Sequence, residues 1–354
     1  MKTLYFTGKA GDGKTAAALG FGLKLREKGL KVSYFKPFGF QKGMAKREDD
    51  DVLLMREVFE LPFSSEVICP VTLNPHYLTG YFLKSKESIL PLLDESYNRL
   101  KEGCDVLLID GSVSPYVGCN LKADDFSLAE RWSAGLIYVL RADCDFDLDL
   151  GLLYSELWAC RNIKLLGILF NNICRTHLDK TKGLYKPILE ENKLPVLGIV
   201  PRKEEITTPT VAEFNRALNG EVLAAPDKMN RPVEEVVVGT MTIESALGYL
   251  RRAPNKALIT GGDRSDMALT ALETSTSVII FTGGLYPNVR VLARAEEKEV
   301  PVILVHDDTY TTVESLHSVY RSIHPDNTAA IKIVKKVIEN YVDWEPVLEY
   351  VKTG

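Results

Sequence analysis

The sequence Gly8-Lys9-Ala10-Gly11-Asp12-Gly13-Lys14-Thr15 lies between a short apolar run, Thr3–Thr7, and a stretch rich in Ala and Leu. It fits the pattern G-x-x-x-x-G-K-[ST] in the strand-to-helix context that this pattern requires. In such a loop the backbone N–H groups and the helix N-terminus face a polyphosphate, the lysine reaches the β- and γ-phosphates, and the hydroxyl ligates Mg²⁺. The sequence therefore predicts a nucleotide-binding loop, and the alternative is a glycine-rich turn with a chance Lys-Thr pair.

The second residue of the loop, Lys9, has two interpretations. It resembles the additional lysine in the deviant loop x-K-G-G-x-G-K-[ST] of the MinD, ParA and nitrogenase-iron-protein class. There the lysine reaches a nucleotide, often across a dimer, but here Ala10 replaces the first glycine of the pattern. The other interpretation is a solvated loop lysine.

Two acidic residues are candidates for holding the metal ion together with Thr15. Asp110 ends the buried strand predicted at Asp105–Asp110, which is the expected place for an acid that orders Mg²⁺. Asp51, in the run EDDDVLL, is a second candidate. Its alternative is purely structural, because acidic residues in the first turn of a helix interact favourably with the helix dipole.

The composition excludes several classes of protein. The 354 residues include 43 basic and 48 acidic side chains, a net charge of −5, which gives no indication of a nucleic-acid or anionic-membrane partner. No apolar run approaches the length of a transmembrane helix, and the first residues read as a strand rather than a signal peptide. Six cysteines without CxxC spacing argue against a zinc site and favour a reduced, cytoplasmic location.

Apolar strand patterns alternate with helical patterns along the whole chain, which predicts an α/β fold with mostly parallel sheets. We expect a parallel-sheet P-loop NTPase domain over residues 1–204 and a smaller α/β domain over 205–325. The boundary is placed in a segment that contains two prolines and the run TTPT. Residues 326–354 show helical periodicity and are predicted to form a C-terminal helical extension.

The first 200 residues resemble dethiobiotin synthetase. The resemblance rests on the order of seven motifs: Thr7-Gly8, Tyr34-Phe35-Lys36-Pro37, Asp51, Val71-Thr72-Leu73-Asn74-Pro75-His76, Asp110-Gly111, Phe170-Asn171 and Leu197-Gly198-Ile199-Val200-Pro201. It implies ATP and Mg²⁺ as cofactors, Lys36 as a substrate-binding lysine, Asn171 as the residue that reads adenine, and Pro201 in the loop over the purine. The loop residues Lys9–Asp12 and the segment Ser112–Ser114 depart from that family where its diamine substrate binds.

These observations give a set of candidate site residues. Lys14 and Lys36 are the candidate catalytic residues, and the candidate metal ligands are Thr15, Asp51 and Asp110. The candidate nucleotide-binding residues are Gly8, Lys9, Gly11, Asp12, Gly13, Lys14, Thr15, Ala16, Asn171 and Pro201.

The second half of the chain is similar to the DRTGG domain. Three segments carry the similarity: Gly262–Asp266, Phe281–Pro287 and Asp308–Thr311. In long bacterial phosphotransacetylases this domain follows a dethiobiotin-synthetase-like domain in the amino-terminal region, which is linked to metabolite response and oligomerisation. Nothing in the 354 residues resembles the catalytic phosphotransacetylase domain, so the resemblance implies a regulatory role, a metabolite ligand and a homodimer or larger assembly.

Two glycine-rich turns in this half have a local interpretation of their own. Gly261–Arg264 and Thr282–Gly284 each follow a predicted strand and precede a predicted helix. Free N–H groups in both turns would form an anion-binding pocket at the carboxyl ends of the strands. The alternative is two tight βα turns, with Asp263 as a helix cap.

The leading hypothesis is thus an Mg·ATP-binding regulator whose DRTGG domain senses a metabolite or assembles subunits, in acetyl-CoA or related metabolism. One alternative is an enzyme: an ATP-dependent ligase of the dethiobiotin synthetase type that activates a carboxylate or carbamate, with Lys36 in its substrate site. Another alternative is a dimeric ParA-like switch that uses Lys9, although that class lacks a second domain. Simple ATPase activity also stays open.

Overall fold

A computed structural model describes residues 1–40, 49–79, 89–317 and 323–352. The chain divides into two compact units. The first unit comprises Met1–Ile206 together with Ile323–Gly354, and the second comprises Thr207–Ser322. Among the described residues, no helix is long and apolar enough to cross a membrane.

The first unit alternates strands and helices. Its strands are β1 (Lys2–Thr7), β2 (Val32–Phe35), β3 (Phe38–Phe40), β4 (Val71–Leu73), β5 (Val106–Asp110), β6 (Gly135–Leu140), β7 (Leu165–Ile173) and β8 (Val196–Pro201). Its helices up to the boundary are α1 (Lys14–Glu27), α2 (Asp50–Val58), α3 (Ser65–Ile68), α4 (Leu90–Lys101), α5 (Asp125–Arg131), α6 (Asp145–Cys160), α7 (Leu178–Lys180), α8 (Lys186–Glu191) and α9 (Glu204–Thr207).

Six of these strands form one parallel sheet in the order β2-β5-β1-β6-β7-β8. The central strands β1, β5 and β6 are almost entirely buried, as expected for a parallel sheet covered by helices on both faces. The predicted parallel-sheet P-loop fold is therefore confirmed. The sequence analysis did not predict the short parallel pair β3–β4. Each strand has only three residues, too few for a periodic pattern, and β3 directly follows Pro37.

The second unit contains the helices α10 (Val211–Leu218), α11 (Ile243–Arg252), α12 (Ser265–Leu272), α13 (Val289–Glu297) and α14 (Thr309–His317). Its strands are β9 (Glu221–Ala224), β10 (Glu235–Val238), β11 (Lys256–Gly261), β12 (Thr276–Thr282) and β13 (Val302–Leu304). The sheet order is β10-β11-β12-β13-β9, and only β9 is antiparallel to its neighbour in this sheet. Alternate residues of β11 and β12 belong to two separate apolar clusters, so each face of the sheet has its own core.

The last two helices, α15 (Thr328–Tyr341) and α16 (Glu345–Lys352), are part of the first unit. Helix α15 packs so closely on α1 that a Cβ at Gly20 would lie 2.5 Å from Cγ1 of Ile338. The hydroxyl of Tyr350 lies 3.3 Å from the carbonyl oxygen of Thr3 and 3.3 Å from that of Ser133, and it can donate to either. The stretch expected as a helical extension thus completes the core around β1 and α1.

Candidate functional site

Two glycines of the loop between β1 and α1 leave no room for a side chain. A Cβ on Gly8 would lie 2.3 Å from the carbonyl oxygen of Val139 in β6. Gly13 has a left-handed φ of 84° at the start of α1, and a Cβ there would lie 2.3 Å from Nδ2 of Asn171. The loop can therefore follow this path only with glycine at both positions.

Lys14 is buried and its ammonium group lies within the loop. Nζ donates to the carbonyl oxygens of Gly8 at 2.9 Å and Lys9 at 3.0 Å. Asp12 is also buried, and its carboxylate accepts the N–H of Lys9 at 2.8 Å. Burial raises the pKa of Asp12 to about 6, although that hydrogen bond and Lys14 oppose the shift. Two of the charged side chains of the loop, Asp12 and Lys14, thus hydrogen-bond to its own backbone.

Thr15 and Asp110 meet beside the loop. The Thr15 hydroxyl donates to Oδ2 of Asp110 at 2.7 Å, and the Tyr34 hydroxyl donates to the same oxygen at 3.0 Å. Oδ1 of Asp110 is buried and has no hydrogen-bond partner among the described residues. Burial raises the pKa of Asp110, and the charge of nearby Lys36 opposes this. A buried carboxylate oxygen without a partner is costly, so it marks a place where a cation or donor fits.

Lys36 is held by two carboxylates. Its Nζ donates to Oδ1 of Asp49 at 2.9 Å and forms a second ion pair with Asp51. Burial alone would lower the pKa of Lys36, but Asp51, Asp49 and Asp110 outweigh it and raise the pKa. Asp51 also lies in the first turn of α2, where Asp49 caps the helix by accepting the N–H of Asp51 at 3.0 Å. The structure therefore gives Asp51 an ion-pair partner as well as a favourable helix position.

Lys9 points away from the centre of the loop. Its Nζ forms an ion pair with Asp147, a residue in the first turn of α6. The other oxygen of Asp147 accepts the N–H groups of Asp143 at 3.0 Å and Cys144 at 3.2 Å. Lys9 is therefore anchored to the start of α6 in this structure.

Asn171, near the end of β7, contacts the backbone of the phosphate loop at Asp12 and Gly13. Its Nδ2 donates to the carbonyl oxygens of Asp12 at 2.9 Å and Gly13 at 3.3 Å, contacts that do not use its amide oxygen. Pro201 ends the neighbouring strand β8, opposite Ile173. Ala16 lies half-buried in the first turn of α1.

Asp125 is a buried acid beside the loop that the sequence reasoning missed. Its carboxylate accepts the Thr7 hydroxyl at 2.5 Å, the Tyr5 hydroxyl at 3.1 Å and the N–H of Ser112 at 2.9 Å. Burial raises the pKa of Asp125 to about 6. A Cβ on Gly111 would lie 2.3 Å from Asp125 Oδ2, so this glycine makes room for the carboxylate. Asp125 thus links the strand before the loop to the segment after Asp110.

The expectation of free N–H groups in the turn Thr282–Gly284 of the second unit is wrong. The N–H of Gly283 donates to the carbonyl of Asp307 at 2.8 Å, and that of Gly284 donates to Val305 at 2.9 Å. The segment after β13 runs alongside the turn and takes up both donors. The turn therefore offers no anion-binding amides at these two positions.

The other turn also differs from its structural interpretation. The residue that precedes α12 is Arg264, and no side-chain hydrogen bond caps this helix, so Asp263 is not its cap. Nη2 of Arg264 donates to the carbonyl of Met241 at 2.9 Å, and Nε faces Asp266 at 3.2 Å. Arg264 is thus a bridge within the second unit.

No group of three or more His, Cys, Asp or Glu side chains among the described residues is arranged to hold a metal ion. Asp49 and Asp51 both form ion pairs with Lys36, so their carboxylates are already engaged. Mg²⁺ in nucleotide sites usually takes one or two protein oxygens, with phosphates and water supplying the rest.

The first unit matches a known protein family. A family described as the AAA domain matches residues 2–210, more than half of the chain. The chain belongs to the AAA domain family. Beyond this AAA domain, residues 213–319 match the DRTGG domain.

Curated relatives match nearly the whole chain, across both of these domains. Phosphate acetyltransferase of Nitrosomonas europaea is 24% identical over 365 residues, covering 98% of this chain and 51% of that enzyme. The enzyme of the same name from Nitratidesulfovibrio vulgaris is 25% identical, covering 96% of this chain and 50% of its own length. The chain therefore spans about half the length of the curated relatives that it matches.

Solved structures resemble parts of this chain only weakly. MinD of Pyrococcus horikoshii, complexed with Mg-ADP, is 17% identical, with a TM-score of 0.34 over 58% of this chain and 83% of that one. The CBS and DRTGG domains of the Clostridium perfringens pyrophosphatase, complexed with the activator diadenosine tetraphosphate, are 18% identical. Their TM-score is 0.30 over 40% of this chain and 69% of that one. At TM-scores below 0.5 these similarities carry no argument about ligands.

Proposed function

We propose that this chain binds Mg·ATP at the phosphate loop of its AAA domain and acts as a regulator of metabolism. The observation that carries the proposal is Oδ1 of Asp110, which is buried beside the Thr15 hydroxyl and has no partner within the part of the chain that the structure describes. A metal ion bound to a polyphosphate would satisfy this oxygen.

The residues fit Mg·ATP in their chemistry. Thr15 and Asp110 supply the hard oxygen ligands that Mg²⁺ prefers, and Lys14 supplies a cation inside the loop. Bound Mg²⁺ would neutralise charge on the β- and γ-phosphates. Asp51 joins this set only to the extent that Lys36 releases it, since the two form an ion pair. We assign Asn171 and Pro201, which lie near the carboxyl ends of β7 and β8, to the base.

The regulatory part of the proposal rests on the combination of domains. The phosphate acetyltransferases share it over about half of their length. Acyl transfer itself is not proposed for this chain. We assign the second unit the role of sensing a small metabolite or assembling subunits, with a homodimer as the smallest expected assembly.

The alternative function, an ATP-dependent ligase, requires Lys36 to meet a carboxylate or carbamate. Lys36 instead faces Asp49 and Asp51, two carboxylates of the same chain. A substrate carboxylate would have to displace one of them. This contact favours the regulator over the ligase.

The test is calorimetric titration of ATP into the full chain, with and without Mg²⁺. We expect binding that Mg²⁺ strengthens, and we expect this effect of Mg²⁺ to be lost in Asp110→Asn, which keeps the shape but removes the charge. Lack of ATP binding, or binding that is equally tight without Mg²⁺, would contradict the proposal.

A further inference from the structure

A groove on one helical face of the second unit has a volume of about 610 Å³, within the roughly 300–1,000 Å³ of small-molecule sites. Helix α12 packs against α11 on one side and α13 on the other. Residues four apart on a helix lie on the same face, and each of the three helices, α12 with the residue that follows it, lines the groove with such a pair. These pairs are Leu247 and Arg251, Leu269 and Glu273, and Arg290 and Arg294.

The part of the groove between the charged residues offers little hydrogen bonding. Leu247 and Leu269 are half-buried and give it an apolar surface. The hydroxyls of Thr270 and Thr274, which also line it, donate to carbonyl oxygens of α12 itself at 2.8 and 2.7 Å. Their protons are therefore used within the helix, and recognition of an anion in this groove falls to the arginines.

The three arginines of the groove differ in their partners. Nε and Nη2 of Arg294 lie 2.9 and 2.5 Å from Oε1 of Glu273, and its Nη1 lies 2.6 Å from Oε2 of Glu297. The side chains of Arg251 and Arg290 are exposed and have no ion pair or hydrogen bond among the described residues. Two positive charges are thus left uncompensated at the groove, on a chain whose net charge is −5.

We propose that this groove binds a phosphate monoester with an apolar body. The body would lie on Leu247 and Leu269, and Arg251 and Arg290 would pair with the phosphate. A phosphate monoester carries nearly two negative charges at neutral pH, which matches the two uncompensated arginines, and a guanidinium fork fits phosphate oxygens. This inference rests on the sensing role that the proposed function gives to the second unit, and it names the ligand class and the site.

The experiment is calorimetric titration of 1-naphthyl phosphate into the full chain. Inorganic phosphate lacks the apolar body, 1-naphthol lacks the anion, and 1-naphthoate carries one charge instead of nearly two. We expect 1-naphthyl phosphate to bind roughly tenfold more tightly than inorganic phosphate or 1-naphthol, with 1-naphthoate between them.

Variants assign the binding to the groove. Arg251→Gln and Arg290→Gln each remove one charge, and the double variant should weaken binding of 1-naphthyl phosphate by roughly tenfold or more. The matched control is Arg252→Gln, because Arg252 is exposed on the same helix but lies outside the groove. It should leave the affinity unchanged. Lys14→Ala should also leave it unchanged, because the phosphate loop is a different site.

The outcomes separate this inference from the function on which it rests. It is overturned if wild type does not bind 1-naphthyl phosphate, if 1-naphthol binds equally well, or if the double variant binds the probe as wild type does. A loss in Lys14→Ala would place the probe in the phosphate loop and overturn it as well. Titration of ATP into the same protein tests the phosphate-loop function separately. Should the double variant not fold, as judged by circular dichroism, the two single variants decide against Arg252→Gln.

Discussion

The Thr15 hydroxyl donates to one oxygen of Asp110 at 2.7 Å, and the other oxygen of that carboxylate is buried and finds no partner in residues 1–40, 49–79, 89–317 and 323–352. Thr15 stands at the start of α1 and Asp110 at the end of β5, so the pair joins two elements that are far apart in sequence. Oδ2 of Asp110 therefore holds the start of α1 through Thr15, and Oδ1 is available for a ligand.

Replacing Lys14 by alanine should weaken ATP binding more than tenfold, about 1.4 kcal/mol, because the loop loses the cation that faces the phosphates. Calorimetry measures this directly. Lys24→Ala is the matched control: Lys24 lies on the same helix but pairs with Glu27 and Glu339, away from the loop. Equal ATP affinity in Lys14→Ala and wild type would refute the assignment.

Asn171 should make the site favour adenine. Its amide oxygen is not used in holding Asp12 and Gly13, and an amide can offer both a donor and an acceptor to a purine edge. We expect ATP to bind more tightly than GTP and CTP in competition titrations. Equal affinities for the three nucleotides would rule this role out.

Asp125 should make stability depend on pH in the acidic range. Its pKa is raised to about 6, so the folded state binds this proton more tightly than the unfolded state, and stability falls as the pH rises from about 4 to 6. Asp125→Asn lacks this dependence. The destabilisation caused by the substitution should therefore be larger at pH 4.5 than at pH 7, by about 2 kcal/mol in urea unfolding. A pH-independent difference would show that Asp125 has an ordinary pKa.

The purified protein should not form dethiobiotin from its diamine, bicarbonate and ATP. Lys36 is neutralised by Asp49 and Asp51, and Ser112–Ser114 replace the residues expected around such a substrate. ATP turnover without an added partner should be slow. Robust product formation that is lost in Lys36→Ala, with nucleotide affinity retained, would establish the ligase instead.

The protein should be at least a dimer, because an additional α/β unit with its own core often carries a self-association face. Light scattering on the full chain tests this against the mass of one chain, 39.5 kDa. A monomer refutes the expectation. A variant without residues 207–322 locates the face: if it stays dimeric, the first unit carries the contact.

The fold and the phosphate loop were predictable because their signals are local. The pattern consists of glycines at fixed spacing, Lys14, Thr15 and an acid at a strand end. Each of these lies in a short segment that can be recognised without knowledge of tertiary contacts. The position of Asp125 was not predictable in this way. Acids at the start of a helix are typical of caps and first turns. Asp124 does cap α5, whereas Asp125, the first residue of α5, turns inward and accepts the Thr7 hydroxyl.

The error in the second unit has the same physical origin. Glycines at a strand end predict free amides, but the carbonyls that take up Gly283 and Gly284 come from Val305 and Asp307, beyond the next strand. Likewise, the partner of Lys9 lies on α6, far along the chain. Contacts between distant segments leave no local pattern to read.

The return of α15 and α16 to the first unit makes the second unit an insertion rather than a tail. Both of its ends are fastened to one body, so local melting of the inserted unit would leave a closed loop instead of a dangling terminus. Protease nicks between residues 207 and 322 would then yield two fragments that still copurify under native conditions, held by the packing of α15 on α1 and separable only by denaturation.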